Sequence, residues 1–420
     1  MSEVCVVGMG YIGLPTAILM AHAGHQVTGV DIDIKRINKL DSGGTPIDEP
    51  HLHNLLKRVT ASGNLRFATR PEQADAFFVA VPTPCDDHHA CDLNDVITAI
   101  DSLIPYLRSG NLIVVESTVP PGTCAKKIKP LLEKSGFIVG RDLHLAHCPE
   151  RVLPGNILYE LVNNNRIIGG FTPQCSELAA GYYLGLVKGE LLITDCDTAE
   201  MTKLMENTYR DLNIALANET ALICHQLGLN VLEVIKLANQ HPRVNILNPG
   251  PGVGGHCLAV DPYFIIEKAP SRAQLISMAR KINSEMPAYI SRLAGDLLSG
   301  INDPRIVALG VTYKGNVADC RESPALEIID HLQLAGYDVV VYDPYVEAFN
   351  RDLLAAVHGS DLMLLLSDHN DFLKLDYWEL TRAMRTPMIF DTRNLLDPAN
   401  FTSSSVVFYN LGNIPVHTRP

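Results

Sequence analysis

A short apolar strand, Val4-Cys5-Val6-Val7, runs into Gly8-Met9-Gly10-Tyr11-Ile12-Gly13, and a helical stretch from Leu14 to Ala23 follows directly. A second strand, Gln26 to Val30, then ends in Asp31. Strand, Gly-x-Gly-x-x-Gly, helix, strand and acid in that order leave few folds open. The first glycine makes a tight turn, the second lets a pyrophosphate approach the backbone, and the third lets the helix pack on the sheet. Amides and the dipole at the helix N-terminus favour negative charge there. Gly8, Gly10, Tyr11, Ile12 and Gly13 are therefore candidate dinucleotide-binding residues. A carboxylate at Asp31 would bond a ribose 2′-hydroxyl and repel a 2′-phosphate, so NAD is expected over NADP.

Further apolar runs at Ala76–Val81, Leu112–Glu116, Leu143–Ala146 and Arg166–Gly169 alternate with helical stretches. Such alternation implies a parallel, doubly wound sheet, which binds ligands beyond the carboxyl ends of its strands. Three segments leave strand ends with polar punctuation: Pro82-Thr83-Pro84, Glu116-Ser117-Thr118-Val119-Pro120-Pro121-Gly122 and Cys148-Pro149-Glu150-Arg151. Any one of them could be ordinary loop chemistry. Together they suggest a shared cleft, with Pro82, Thr83 and Thr118 on its cofactor side.

From about Thr198 to Leu227 the pattern changes to one long helix. Met201, Leu204, Met205, Leu212, Leu216 and Leu222 give it an apolar face, while Glu200, Lys203, Asn207 and Asp211 form a polar stripe. The stripe reads either as a solvated face or as one edge of a buried spine. A long helix between domains is also a plausible dimer interface.

The chain then reaches Pro249-Gly250-Pro251-Gly252-Val253-Gly254-Gly255-His256-Cys257-Leu258-Ala259-Val260-Asp261. Glycines there let backbone approach a ligand and reach positive φ. Asp261, four residues after Cys257, could meet the sulfur on one helical face. The segment reads either as a presented nucleophile or as a tight turn before an inert cysteine.

Arg305 to Val311 begins a second strand–turn–helix–strand unit, with a helix from Ser323 to Ala335 and a strand from Asp338 to Tyr342 ending at Asp343. It lacks the glycine fingerprint, having only Gly310 and Gly315 near the turn. Lys314, Arg321 and Arg393 lie at its expected strand ends and would suit a diphosphate. The tail from Phe401 to Pro420 is polar and shows no legible chemistry.

A net charge of −13 argues against a general nucleic-acid binder. The start carries no basic leader region, and no apolar run approaches the ~20 residues needed to span a bilayer, so a cytoplasmic protein is expected. Ten scattered cysteines without a Cys-x-x-Cys pair read as free thiols. Cys85-Asp86-Asp87-His88-His89 with Cys91 has metal-binding residue types at no familiar spacing, and a polar surface loop is expected rather than a metal site.

These segments, in order, resemble the UDP-sugar 6-dehydrogenase family over nearly the whole chain. The resemblance rests on Gly8–Gly13, Glu116–Pro120, Cys148–Arg151, Glu200–Asn207, the glycine turn to Asp261, Lys314–Ser323 and Thr392-Arg393-Asn394-Leu395. Cys148 to Gly155 and His241-Pro242-Arg243-Val244-Asn245-Ile246-Leu247 look like the branch acting on UDP-N-acetyl-D-mannosamine. Val260, where some relatives carry lysine, weakens a plain UDP-glucose reading.

The resemblance implies an α/β chain of two Rossmann-like doubly wound domains joined by a long central helix. The expected bounds are 1–197 for NAD binding, 198–300 for a helical middle carrying the catalytic residues, and 301–420 for UDP-sugar binding. It implies four-electron oxidation of a C6 hydroxyl to a carboxylate for bacterial surface polysaccharide, with UDP-N-acetyl-D-glucosamine or UDP-glucose as alternative substrates. Cys257 would form a thiohemiacetal and then a thioester. Lys203 would stabilise the oxyanion and favour the thiolate, Asn207 would orient substrate or water, and Asp261 would act as general base or hold water. Glu150 and Thr118 would assist through a water. Glu150, Arg151, Lys203, Asn207, Gly254, Lys314 and Arg393 would contact the UDP-sugar, and Arg321 would lie near the cofactor pyrophosphate. Arg243 would reach a partner subunit's site in a homodimer.

Two other readings compete. The β-hydroxyacid dehydrogenases also place lysine and asparagine four apart on a long helix, but need neither the cysteine nor the segment after Arg305. A catalytically silent NAD-binding protein of the same fold is the non-enzymatic alternative.

Overall fold

The computed structural model describes residues 1–47, 49–86, 89–153, 155–402 and 405–415. Asp87 and His88 of the cysteine loop, Pro154 and tail residues 403, 404 and 416–420 lie outside the described residues. The chain divides into two compact units, Met1–Glu206 with Tyr263–Pro270, and Asn207–Pro262 with Ser271–Pro420.

In the first unit β1 (Glu3–Val7), β2 (Gln26–Val30), β3 (Leu65–Ala68), β4 (Ala76–Val79), β5 (Leu112–Val115), β6 (His144–His147), β7 (Arg166–Gly170) and β8 (Leu191–Asp195) form one sheet. Their order is β3-β2-β1-β4-β5-β6-β7-β8. The order reverses between β1 and β4, which opens a crevice at their carboxyl ends. Val4 and Val6 enter one core and Cys5 and Val7 the opposite one, so the strand is buried on both faces and reads as an unbroken apolar run. Helix α1 (Gly13–His22) packs Leu14, Ala17, Ile18 and Ala21 into the first of these cores.

The sheet is parallel except where β7 pairs antiparallel with β6, His147 opposite Gly169. This reversal brings the start of β7, with Arg166, to the edge where β5 and β6 end. No local signal in Arg166–Gly169 distinguishes the two directions.

In the second unit β9 (Arg305–Leu309), β10 (Asp338–Tyr342), β11 (Leu362–Leu365), β12 (Met388–Asp391) and β13 (Val407–Asn410) form a parallel sheet ordered β10-β9-β11-β12-β13. Strand β13 falls within the tail that reads as featureless, and pairs with β12 from Met388↔Val407 to Asp391↔Asn410. Strands β11 and β12 are apolar runs of four residues, too short for periodicity to tell strand from buried helix.

Helix α2 (Cys196–Leu227) buries its polar stripe together with part of its apolar face, Leu204 being fully buried and Leu222 packed on the second unit's core. Glu200, Lys203, Asn207 and Asp211 are buried, which selects the buried-spine reading. Met205 and Leu216, expected to face the core, are exposed, together with Tyr209, Ile223 and Leu227. Helix α3 (Gln274–Leu297) and helix α4 (Pro324–Leu334) complete the second unit's elements used below. Among the described residues no helix is long and apolar enough to cross a membrane.

Candidate active site

At the cofactor edge the three glycines have three different reasons to be glycine. Gly8 has φ +96°, and a Cβ there would lie 2.4 Å from the Ala80 carbonyl oxygen. A Cβ on Gly13 would meet the Gly8 oxygen at 1.8 Å, whereas one on Gly10 would meet nothing within 4 Å. Packing therefore fixes the first and third, and the second faces open space suited to a ligand. No side chain caps the N-terminus of α1, which leaves its first turn suited to a pyrophosphate. The half-exposed Tyr11 flanks this turn, and Pro82 and Thr83 lie just beyond β4.

Asp31 is buried and accepts the backbone N–H of Met9 at 2.8 Å and of Asp33 at 2.9 Å. Its Oδ2 also pairs with Arg36 Nη1 at 2.6 Å. Sequence reading had passed over Arg36. Its signal is a cation in the first turn of the helix that Asp33 caps, just after the acid. These residues fit a dinucleotide with a free 2′-hydroxyl.

Glu150 belongs to a buried ionic cluster. Arg166 donates to Glu150 Oε2 through Nη1 at 2.6 Å and to Glu116 Oε1 through Nη2 at 2.5 Å. Tyr183 donates to Glu116 Oε1 at 2.8 Å, and Thr16 of α1 donates to Glu116 Oε2 at 3.1 Å. Burial pushes the Glu116 carboxyl up, opposed by Arg166. Burial works against the Arg166 charge, yet Glu150, Tyr183 and Glu116 outweigh it and hold its pKa well above the usual value. The second Glu150 oxygen accepts the Arg151 N–H at 2.6 Å. Both Glu150 oxygens thus accept protein donors, which suits a fixed negative charge better than a proton shuttle. Arg151 itself faces Glu206, at 2.6 Å, and the Asn165 carbonyl.

Thr118 sits in a loop tied down by Glu200 of α2, which accepts the N–H groups of Gly122 at 2.6 Å and Cys124 at 2.8 Å. Burial raises the Glu200 carboxyl, and those amides oppose the rise. Lys203 follows one turn later and is 8% exposed.

In the second unit Cys257 is exposed, in a turn where its carbonyl accepts the Asp261 N–H at 2.8 Å. Asp261 is buried, and its Oδ2 accepts Asn207 Nδ2 at 2.6 Å. Carboxylate and amide thus come from residues 54 apart in sequence. The glycines ahead of Cys257 serve packing: a Cβ on Gly254 would lie 2.2 Å from the Glu322 oxygen, and one on Gly255 2.7 Å from the Tyr313 ring. Gly254 therefore seats the turn on residues 313–324.

Arg393 pairs with Asp368 at 3.1 Å, and Asp368 also accepts the Gly315 N–H at 2.9 Å, beside the exposed Lys314. Arg321 is held by Asp319 at 2.6 Å, and Arg243 is exposed. Among the described residues no cluster of three His, Cys, Asp or Glu side chains is placed to hold a metal ion.

Residues 2–187 match the NAD binding domain of the UDP-glucose/GDP-mannose dehydrogenase family, residues 197–285 its central domain and residues 307–398 its UDP binding domain. The chain is 47% identical to a UDP-N-acetyl-D-mannosamine dehydrogenase of Methanococcus vannielii, covering 98% of this chain and 97% of that protein. A solved UDP-N-acetyl-mannosamine dehydrogenase from Staphylococcus aureus is 50% identical, with a TM-score of 0.91 over 98% of this chain and 99% of the other. The UDP-D-ManNAc dehydrogenase structure from Pyrococcus horikoshii aligns with a TM-score of 0.93 at 41% identity, over 98% and 99% of the two chains.

Proposed function

The chain belongs to the UDP-glucose/GDP-mannose dehydrogenase family, whose members are NAD-dependent nucleotide-sugar oxidoreductases, and from that premise we propose that it oxidises C6 of UDP-N-acetyl-D-mannosamine to the carboxylate. The names of the relatives at 47% and 50% identity support the sugar. The observation that carries the four-electron course is the exposed Cys257, one helical turn ahead of an Asp261 held by Asn207.

NAD⁺, when bound, accepts one hydride from C6 in each of two oxidations. In the first, the C6 hydroxyl loses its proton and becomes an aldehyde. The Cys257 sulfur then adds to the aldehyde carbon, and the thiol proton ends on the new hydroxyl, giving a thiohemiacetal that retains the intermediate. Loss of the remaining C6 hydrogen as hydride, and of the hydroxyl proton, leaves a thioester. Water adds to the thioester carbon, the carbon–sulfur bond breaks, and carboxylate and thiol are released. Lys203 stabilises the oxyanion formed on C6 oxygen at each addition. Asp261, oriented by Asn207, takes the proton of the attacking water, and Asn207 also contacts the sugar. Glu150, fixed by Arg166, acts with Thr118 as an acceptor for a bound water. Lys314 and Arg393 hold the diphosphate, with Arg151 and Gly254 lining the sugar-nucleotide side. Arg321 serves the cofactor pyrophosphate, and Pro82 and Thr83 contact the cofactor.

The active form is a homodimer to which Arg243 contributes across the interface. Met205, Tyr209, Leu216, Ile223 and Leu227 support this: all are exposed and fall within about 40° of one another around α2. The product, an amino-sugar uronate still joined to UDP, is a glycosyl donor and so fits polysaccharide assembly. Counting NADH formed per UDP-sugar, with rates on the N-acetylmannosamine, N-acetylglucosamine and glucose forms, tests the reading. Two equivalents and the highest kcat/KM on the first are expected. One equivalent would overturn the four-electron course, and a preference for another sugar would overturn the substrate.

A further inference from the structure

We propose that Asn218 is a positioning residue for the Cys257 thiol, its amide orientation dictated through Asn283 by the buried Asp211–Arg280 pair. This deepens the reading above and rests on Cys257 being the nucleophile.

The chain of contacts lies wholly within the second unit. Arg280 of α3 donates to Asp211 Oδ1 at 2.6 Å. The same Oδ1 accepts Asn283 Nδ2 at 2.8 Å, and the Asp211 carbonyl accepts it at 3.0 Å. Two acceptors therefore demand the NH₂ end of Asn283, which turns its Oδ1 toward Asn218. Asn218 answers with Nδ2 at 2.9 Å, so its own Oδ1 must point the other way, and it accepts the Gly250 N–H at 2.9 Å. Asp211, Asn218, Arg280 and Asn283 are at most 5% exposed. An amide could flip only by setting oxygen against oxygen among buried groups, which costs on the order of 1–3 kcal/mol per unsatisfied group. Oδ1 of Asp211 is an acceptor whether or not the carboxyl is protonated, so the orientation is fixed either way.

Gly250 opens the turn that ends in Cys257. The other end of its peptide group, the Pro249 carbonyl, accepts Asn394 Nδ2 at 3.1 Å. That peptide plane is thus clamped on both sides, by the α2 spine and by the residue after Arg393. The far end of the turn is held by Asn207 at Asp261. One helix therefore grips both ends of the thiol's turn at points about 16 Å apart along its axis. No feature of the first oxidation needs this grip, because the sulfur enters only afterwards.

The test uses Asn218→Leu, Asn218→Ser and Asn283→Leu, with Cys257→Ala as reference. Expected in the variants is unchanged NAD binding and a first oxidation within about 2-fold of the parent. The second oxidation and the rate of Cys257 labelling by iodoacetamide should fall about 10-fold or more, with aldehyde trappable by hydroxylamine. Equal slowing of both oxidations, or parental labelling and turnover in any variant that melts near the parent, overturns the proposal. In the unaltered protein, hydrogen exchange should find the Gly250 amide among the slowest of residues 250–260. Fast exchange there overturns it even if every variant fails to fold. If instead Cys257→Ala still makes uronate at the parental rate, the underlying reading falls.

Discussion

Asp31 and Asp343 occupy the same position in two separate sheets. Each follows the second strand of its unit and accepts the N–H of the residue after the first turn's glycine at 2.8 Å, from Met9 and Val311 respectively. Each also accepts the N–H two residues on, from Asp33 at 2.9 Å and Tyr345 at 2.8 Å. What differs is the third partner. Arg36 stands against Asp31 at 2.6 Å, and the buried His369 stands against Asp343 at 3.1 Å. The Asp31 pair therefore reaches the surface through the partly exposed Arg36, whereas Asp343 and His369 are both enclosed by the protein.

From this difference, Asp31→Ser should raise the NADP/NAD ratio of kcat/KM by about 10- to 100-fold, because Arg36 loses its carboxylate and becomes available to a 2′-phosphate. Asp343→Ser should leave the ratio unchanged and lower stability by about 2 kcal/mol, since it strands the buried Val311 amide and the His369 imidazole. Steady-state kinetics with both cofactors, beside urea unfolding, separates the two. Equal shifts in cofactor preference would contradict the assignment.

Arg166→Met should destabilise the first unit by about 3–5 kcal/mol, because Glu116 and Glu150 would stay buried without their counter-ion. Adding Glu116→Gln and Glu150→Gln should recover part of that loss without restoring turnover. Urea titrations of the single and triple variants read this, and a single variant as stable as the parent would show that the cluster is not coupled to folding.

His147 gives a signed pH dependence. It is fully buried, neither ring nitrogen has a hydrogen-bond partner among the described residues, and burial pushes its pKa down to about 3. An unfolded histidine takes up its proton near 6.5. Between those values the unfolded state binds more protons, so stability present above pH 6.5 is lost as pH falls toward 3. The loss is about 1.4 kcal/mol per pH unit. His147→Phe should remove that slope, so the stability difference between variant and parent should grow steadily from pH 6 to pH 4. Parallel curves would mean that the folded protein accepts the proton.

Cys257→Ser should retain formation of the first NADH while uronate production falls by about 100-fold or more, since a hydroxyl is a far weaker nucleophile at C6. Cys224→Ser, at a site 4% exposed in the second unit's core, should change turnover less than about 2-fold and cost about 1 kcal/mol of stability. Product analysis by mass spectrometry discriminates them, and similar activity in the two variants would exclude the thiol from catalysis.

Leu216→Glu with Ile223→Glu should shift the protein from dimer to monomer at micromolar concentration, because two carboxylates would enter the apolar stripe of α2. Sedimentation velocity checks this. A parent that is monomeric would overturn the homodimer, and a doubly charged variant that still dimerises would place the interface elsewhere.

Local chemistry was legible in the residues themselves. Gly8, Gly10 and Gly13 announce the turn because each requirement on them acts within a few residues of chain, and Asp31 follows at the end of the very next strand. Cys257 and Asp261 sit one helical turn apart, so the bond from the Asp261 N–H to the Cys257 carbonyl is written in spacing. The two faces of α2 were not legible in this way. A stripe of Glu200, Lys203, Asn207 and Asp211 looks solvated until partners from distant segments, among them Gly122, Cys124, Asp261, Arg280 and Asn283, arrive to satisfy it. Arg166 became a partner of Glu150 only because β7 runs against its neighbour, a direction that no residue in the strand encodes. Sequence determined which groups could do chemistry and the turns that present them. Tertiary structure decided which charges were buried together, because burial and pairing depend on what the rest of the chain brings to the same place.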